Sequence, residues 1–259
     1  MTKPSDNILI SGDIDKQILG LTAQHIQYLT DDDLTNKSSE QASVEKTSHV
    51  APKTKPGIHQ QMVTAFTALK ESAQLAGLDL EIASGFRSFE RQLQIWNNKF
   101  TGRAVIKDAE GKTVDISRLS DKEIIKAILL YSALPGASRH HWGCDIDVYA
   151  PNLLTDNQSL KLEPWEYQQC GPMEKLSSWL GQHAEEFGFY LPYNKYRGGV
   201  AEEPWHLSFL PLARQYQEKF NIDTLQACLM NTNIAGKMGI IENLPDIAKR
   251  YINNVNKKT

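Results

Sequence analysis

The stretch SRHHWGCDID, residues 138–147, concentrates two histidines and two aspartates around one glycine. Residues 144–149 alternate apolar and polar side chains, which predicts a β-strand. On this strand Asp145 and Asp147 share one face, while the apolar residues beside them take the other. His140 lies shortly before the glycine, so a turn there can bring its ring back beside Asp147. One nitrogen and one oxygen ligand would then lie together.

A second group of potentially catalytic residues is EPWH, residues 203–206. Catalytic zinc takes three protein ligands from His, Asp, Glu or Cys and leaves a fourth position for water. His140, Asp147 and His206 can form such a set, which leaves Glu203 as a general base. The alternative is a solvated acidic pair with separate structural histidines, because spacing alone does not bring distant segments together.

The remaining candidates for chemistry are interpreted as structural. The segment EPWE, residues 163–166, repeats half of the second motif but lacks its histidine. Cys144 is predicted to be a small buried hydrophobe, since its face of the strand points away from His140 and the acids. His141 is set aside because its side chain should point away from that of its neighbour. Four other histidines are also assigned to the structural class: His25, His49, His59 and His183.

Helices and strands are mixed without strict alternation, which predicts an α+β fold. Ser88 is a predicted helix N-cap, and Ser120 with Glu123 forms a predicted capping box. The expected helices cover residues 58–73, 88–98, 120–133, 174–187, 210–219 and 244–254, and the expected strands cover 78–82, 144–149, 188–191 and 205–210.

The N-terminal part of the chain differs from the rest in composition. Residues 15–29 carry apolar side chains that predict one short helix docked on the body. Residues 31–56 are polar and poor in large apolar groups, which predicts a linker or long surface loop. We therefore divide the chain into residues 1–55, a short helix with a polar linker, and residues 56–259, a domain with a C-terminal helical extension.

Composition and charge exclude several classes of protein. The 259 residues carry a formal net charge of −3, so no general basic field suggests nucleic-acid binding. Three cysteines at wide spacings do not form a disulfide framework or a thiolate zinc site. The sequence predicts no membrane span and no signal peptide. A cytoplasmic location is therefore expected, with action in the periplasm or cell wall by another route left open.

Three motifs resemble those of a known family. SRHHWGCDID matches the SxHxxGxxxD pattern of the zinc D-alanyl-D-alanine carboxypeptidases, and EPWH matches their ExxH pattern. SGFRS, residues 84–88, followed by Gln92, resembles their third motif and precedes the other two as it does in the family. The chain thus resembles the vancomycin-resistance-type carboxypeptidases, which are LAS metallopeptidases, over about residues 56–210.

The resemblance implies a hedgehog/D-Ala-D-Ala-peptidase-like fold, with a small antiparallel sheet flanked by helices. It implies zinc as cofactor on His140, Asp147 and His206, and catalytic roles for Glu203 and Arg87. Substrate contacts are implied for Arg87 and Gln92, and Ser138 is expected to make another. Asp145 departs from the alanine that is common in the family. It is predicted to support the site by accepting a hydrogen bond from a ligand histidine, or to face water.

The resemblance also implies the substrate. The expected activity is a D,D-carboxypeptidase that hydrolyses the C-terminal D-alanine of peptidoglycan stem peptides or muropeptides. An L,D-carboxypeptidase or a D-Ala-D-Ala dipeptidase is the alternative within the same class. A third reading is a non-enzymatic peptidoglycan-binding module on the same fold, against which the complete ligand set and Glu203 argue.

Overall fold

The computed structural model describes residues 12–29 and 55–258 of the chain. A four-stranded antiparallel sheet lies at its centre, in the order β3-β4-β6-β5. A separate pair, β1 and β2, is also antiparallel. The strands are β1 (Ile26–Tyr28), β2 (Gly57–His59), β3 (Glu81–Ser84), β4 (Asp145–Tyr149), β5 (Phe189–Tyr190) and β6 (His206–Phe209).

Helices flank this sheet, which confirms the predicted α+β class with a small antiparallel sheet. The C-terminal helices continue from α9 into a short π-helical turn, Ala248–Ile252. No helix among the described residues has the length and apolar character of a membrane span. The α-helices are α1 (Asp13–Ile18), α2 (Val63–Leu75), α3 (Phe89–Phe100), α4 (Asp121–Leu129), α5 (Glu174–His183), α6 (Leu210–Lys219), α7 (Ile222–Met230), α8 (Lys237–Glu242) and α9 (Leu244–Ile247).

The alternation of β4 and β6 separates the core from the polar face of the sheet. Ile146 pairs with Leu207, and both side chains are fully buried in a core cluster beneath the sheet. The neighbouring residues point the other way, and Asp147 lies directly opposite His206 in the register. The strand pairing therefore brings two residues 59 positions apart onto one face.

A second apolar cluster joins α3 and α4 to the C-terminal helices. Trp96 of α3 is fully buried there, and its indole nitrogen donates to the backbone oxygen of Ala235 at 3.0 Å. Leu225 and Leu229 of α7 are also fully buried in this cluster. The C-terminal helices therefore support α3 and α4 from behind, and α3 and α4 form one wall of the cleft described below.

The N-terminal segment is not the single helix that the sequence predicted. Helix α1 ends at Ile18 because Gly20 takes a left-handed conformation with φ +74°. The chain then forms β1, which pairs with β2, with Gln27 opposite Ile58. The predicted linker, residues 31–56, lies outside the described residues except for 55 and 56. The division of the chain at residue 55 stays a prediction.

Local capping signals set helix boundaries as predicted. The Ser88 hydroxyl oxygen accepts from the backbone nitrogen of Arg91 at the start of α3. Ser120 and Glu123 form the capping box of α4. Helix α2, in contrast, begins at Val63 and not near Ile58 as predicted. Residues 57–59 instead form β2, which pairs with β1.

Candidate metal centre

Three buried side chains converge at one end of the sheet. His140 comes from a short 3₁₀ turn, Arg139–Trp142, Asp147 from β4 and His206 from β6. One potential ligand atom from each residue lies within 4.8 Å of the other two. His140 Nε2 is 3.4 Å from Asp147 Oδ2, and His206 Nδ1 is 3.3 Å from Asp147 Oδ1. The structure thus brings together the three residues that the sequence predicted as metal ligands.

The chain reaches this geometry through a tight turn before β4. Gly143 has φ +70°, a left-handed conformation that residues with a β-carbon rarely adopt. A β-carbon at Gly143 would also lie 2.3 Å from Ile26 Cδ1, so the N-terminal strand packs directly on the turn. His140 is set three residues before this glycine and is thereby folded back toward β4.

Both histidines are oriented by their second ring nitrogen. His140 Nδ1 lies 3.0 Å from the backbone oxygen of Gly85, and a carbonyl only accepts, so this nitrogen carries the proton. His206 Nε2 lies 3.0 Å from Asp145 Oδ1. Each histidine therefore turns its other nitrogen toward Asp147, with a lone pair there when the ring is neutral. Such outer partners are typical of metal-binding histidines.

Asp145 is the centre of a buried polar network. It is fully buried, accepts from Arg139 Nε at 2.7 Å, and accepts from the Ser208 hydroxyl at 3.0 Å. Burial alone would raise the pKa of Asp145, but Arg139 and the hydrogen bond with His206 lower it to about 2. Asp145 therefore stays ionised beside His206. The predicted supporting position matches this geometry, although its role stays a prediction.

Glu203 lies beside the three residues without belonging to the group. Its Oε2 is 3.3 Å from His206 Nδ1, and the side chain is buried. Burial raises the pKa of Glu203 above its ordinary value, although the hydrogen bond with His206 opposes this. Burial disfavours the cationic form of His206, but its close contacts with the carboxylates of Asp145, Asp147 and Glu203 outweigh that effect and raise its pKa well above the usual range.

The charge balance of this centre fits a bound cation. Asp147 Oδ1 is buried and has no hydrogen-bond partner among the described residues. Within that part of the chain, no lysine or arginine lies within 4.0 Å of either Asp147 or Glu203. Two histidine nitrogens and one carboxylate oxygen are a ligand set that zinc accepts. A divalent cation at this point would offset the negative charges of Asp147 and Glu203.

The centre opens into a cleft of about 670 Å³. The cleft is lined by the three candidate ligands and by Arg87, Ser138 and Glu203. Arg87 Nη1 donates to Gln92 Oε1 at 2.9 Å, and Nη2 donates to the Ser84 hydroxyl at 3.0 Å. Burial lowers the pKa of Arg87, and the nearby carboxylates oppose this. Two hydrogen bonds thus fix the guanidinium of Arg87 at the cleft wall.

Gln92 does not lie where a substrate contact was predicted. It is fully buried on the inner side of α3 and does not line the cleft. Its amide nitrogen donates to the backbone oxygen of Ala133 at 2.7 Å, while its oxygen accepts from Arg87. Both ends of the amide are therefore used inside the protein, and Gln92 lies behind Arg87.

Several polar residues of the site carried no recognisable signal in the sequence. Arg139 donates to the hydroxyls of Tyr190 and Ser208 in addition to Asp145, and its guanidinium lies 4.5 Å from the Trp142 ring. His141 is fully buried, and its Nδ1 lies 2.6 Å from the backbone oxygen of Arg87. The contacts with Tyr190, Ser208 and Arg87 join segments that are distant in sequence, so spacing could not reveal them.

The residues that we interpreted as structural lie outside the group of three. His25 and His59 are buried near the N-terminal strand pair, with ring centroids 5.4 Å apart. His183 is on the surface beside Glu186. Cys144 is fully buried, and burial raises the pKa of its thiol well above the ordinary value. His49 lies outside the described residues.

Comparisons with known proteins identify relatives of this chain. An uncharacterized protein of Haemophilus influenzae is 40% identical over 121 residues, which cover 46% of this chain and 92% of the relative. The D-alanyl-D-alanine carboxypeptidase of Enterococcus faecalis is 25% identical over 145 residues, 55% of this chain and 44% of that protein. This chain therefore spans less than half of the Enterococcus protein.

A solved structure also resembles the chain. It is a mutant of the vancomycin-resistance D,D-pentapeptidase VanY in complex with Zn(II), with a TM-score of 0.42 and 22% identity, covering 68% of this chain and 84% of that one. The model of the VanY family, described as D-alanyl-D-alanine carboxypeptidase, matches residues 55–212. This match covers more than half of the chain and all three motifs with the candidate centre, so the chain belongs to the VanY D-alanyl-D-alanine carboxypeptidase family.

Proposed function

We propose that this protein is a zinc-dependent D,D-carboxypeptidase that removes the C-terminal D-alanine from peptidoglycan stem peptides or muropeptides. The observation that carries the proposal is the buried group of His140, Asp147 and His206 with Glu203 beside it. Membership of the VanY family supports the peptidase class, and the name of the Enterococcus relative supports the substrate. The Zn(II) complex of VanY supports the choice of metal.

Zinc would be held by the two histidine nitrogens that face Asp147 and by the carboxylate of Asp147. When bound there, zinc polarises the scissile carbonyl and acidifies the attacking water. The protein contributes the orientation of the ligands. Gly85 fixes the ring of His140 through its backbone oxygen, and Asp145 fixes the ring of His206. Loss of either contact would leave a ring free to rotate away from the metal.

Glu203 is the proposed proton carrier. Its carboxylate accepts a proton from the attacking water and then delivers it to the departing amine of D-alanine. Burial raises the pKa of Glu203, and a carboxylate with a raised pKa is a stronger base and therefore a better acceptor. Its distance of 3.3 Å from His206 Nδ1 keeps it next to the metal position.

Arg87 and Ser138 are the proposed substrate contacts. The Arg87 guanidinium is a planar fork of donors, which suits a carboxylate or the oxyanion that develops at the scissile carbonyl. Gln92 and Ser84 each accept from one of its two terminal nitrogens, so the direction of the guanidinium is set before substrate arrives. Ser138 is almost fully buried at the base of the cleft and offers a hydroxyl there.

The test is mass spectrometry of products from a panel of peptides, with zinc supplied. The panel contains a stem pentapeptide, a tetrapeptide, the C-terminal amides of both, and free D-Ala-D-Ala. We expect release of one D-alanine from the pentapeptide and none from its amide. Release from the tetrapeptide alone would assign the protein to the L,D class, and cleavage of the free dipeptide alone would make it a dipeptidase. Equal cleavage of the amides would indicate an endopeptidase.

A pair of adjacent glutamates provides the matched control. Glu203→Ala should retain zinc and lose turnover by about 100-fold or more, because it removes the proton carrier. Glu202→Ala changes the neighbouring residue, which does not line the cleft, and should leave turnover within about 3-fold. Binding of peptide without any hydrolysis by the zinc-loaded wild type would favour the non-enzymatic reading.

A further inference from the structure

A lysine on the cleft wall has no role in the mechanism above. Lys99 lies in the last turn of α3 and lines the cleft. Its Nζ donates to the Ser132 hydroxyl at 2.6 Å, and no carboxylate of the described residues lies within 4.0 Å of it. An ammonium has three donors, so two remain for a ligand. Partial burial lowers the pKa of Lys99, as does the nearby charge of Arg87.

Three apolar side chains line the same cleft as Lys99. Ile95 lies one helical turn before it on α3 and lines the same side of the cleft. Ile128 lies one turn before Ser132, to which it is joined by a backbone hydrogen bond, and it also lines the cleft. Ile106 adds a third apolar side chain to the lining. The cleft therefore offers apolar side chains and an ammonium that forms no ion pair within 4.0 Å in the part of the chain that the structure describes.

Other charged groups of the cleft are arranged differently. Lys107 is paired with Glu163 at 3.2 Å, and both residues line the cleft. Arg139 is paired with Asp145 in the core. Asp108 and Glu110 also line the cleft, on the chain segment that carries Lys107. Lys99 is partly buried and near Glu203. An anionic ligand within hydrogen-bond distance would stabilise its ammonium further, since an unpaired charge is costly away from water.

We propose that Lys99 forms, together with Arg87, the subsite for the C-terminal carboxylate of the substrate, and that the isoleucines beside it hold the small side chain of the terminal residue. The inference rests on the proposed carboxypeptidase function. The two cations would bind the carboxylate from two directions, and the apolar wall would leave room for a methyl group. Gln92, which lies behind Arg87, would act as a positioning residue for this subsite.

The test compares acid and amide substrates in a Lys99→Met variant. The probes are an N-acetylated tripeptide that ends in D-Ala-D-Ala and its C-terminal amide. We expect KM for the acid to rise about 10-fold or more, on the scale of a lost charge-assisted hydrogen bond, with kcat within about 3-fold. The amide lacks the charge, so its binding, measured as competitive inhibition of acid cleavage, should not change. Lys99→Arg should recover part of the loss.

Two control variants separate binding from structure. Ser132→Ala removes the hydrogen-bond partner of Lys99 but keeps the charge, so the preference for the acid should remain. Lys126→Gln removes an exposed lysine of α4 that does not line the cleft, which controls for net charge. If Lys99→Met weakens acid and amide equally, Lys99 only fastens α3 to residue 132, and the proposal is wrong.

Calorimetry on the zinc-loaded Glu203→Ala variant separates this proposal from the proposed function. Tighter binding of the acid than of the amide, lost in the double variant with Lys99→Met, would support the subsite. That result without any hydrolysis by the wild type would overturn the proposed function and leave the subsite standing. Equal binding of acid and amide would overturn the subsite, even where the wild type releases D-alanine.

Discussion

Replacement of Asp145 by asparagine tests whether the network behind the metal centre controls metal binding. Asp145 is fully buried and accepts hydrogen bonds from Arg139, His206 and Ser208. Asparagine has nearly the same shape, so the oxygen that faces Arg139 and His206 can remain. The change removes the negative charge from a buried ion pair, which leaves Arg139 as an unpaired cation in the core.

The expected loss follows from that arrangement. Breaking a buried ion pair by removing one partner costs about 3–5 kcal/mol, and the retained acceptor favours the lower end of that range. In a domain of this size 1 kcal/mol changes Tm by about 2–4 °C, so we expect a fall of about 6–12 °C. Zinc affinity should fall about 10- to 100-fold, because His206 loses the charge that holds its ring and strengthens its lone pair.

The assay combines calorimetric melting with zinc titration against a competing chelator. Asp156→Asn is the matched control, since it makes the same chemical change on the surface. Wild-type zinc affinity in a folded Asp145→Asn variant would refute the orienting role of Asp145. A large fall in Tm with unchanged zinc affinity would assign Asp145 to the core network alone.

Three further predictions concern the candidate ligand His206, the guanidinium of Arg87 and the buried His59. His206→Ala should lose zinc and activity together, and full zinc occupancy by elemental analysis would contradict the assignment. Arg87→Lys keeps the charge but loses the fork, so kcat/KM should fall at least 10-fold with zinc retained; unchanged kinetics would make Arg87 structural. Burial lowers the pKa of His59 to about 4, below its unfolded value near 6.5, so its contribution to stability is lost as pH falls from 6.5 toward 4. His59→Asn should therefore lose roughly 5 °C less in Tm than the wild type between pH 7 and 4.5, and identical Tm losses would contradict this.

Local signals in the sequence predicted part of the fold correctly. Ser88 and the box of Ser120 and Glu123 cap helices as expected, because such caps depend on residues within one turn. Helix α7 was missed, although Asn221 caps it by accepting from Asp223 and Thr224. That cap was a readable signal. The missed strand pair of β1 and β2, in contrast, depends on contacts between residues about 30 positions apart.

The candidate site was predicted because its motifs are specific together. His140, Asp147, His206 and Glu203 lie together as expected, and the register of β4 and β6 explains why. The position of Gln92 differed, since helix spacing alone does not distinguish a residue on the cleft wall from one just behind it. The contacts of Asp145 required knowledge of Arg139 and Ser208, which only the folded sheet brings into reach.

Under the proposed function, the pairing of Asp147 with His206 couples zinc binding to the correct alignment of β4 and β6. A slip of one residue between β4 and β6 would turn one of the two side chains to the opposite face of the sheet. A misaligned chain would then bind the ion only weakly, whereas the aligned chain gains RT ln(1 + [L]/Kd), about 4 kcal/mol at a thousandfold excess over Kd. Zinc supplied during refolding should therefore raise the yield of aligned protein and not only its final stability.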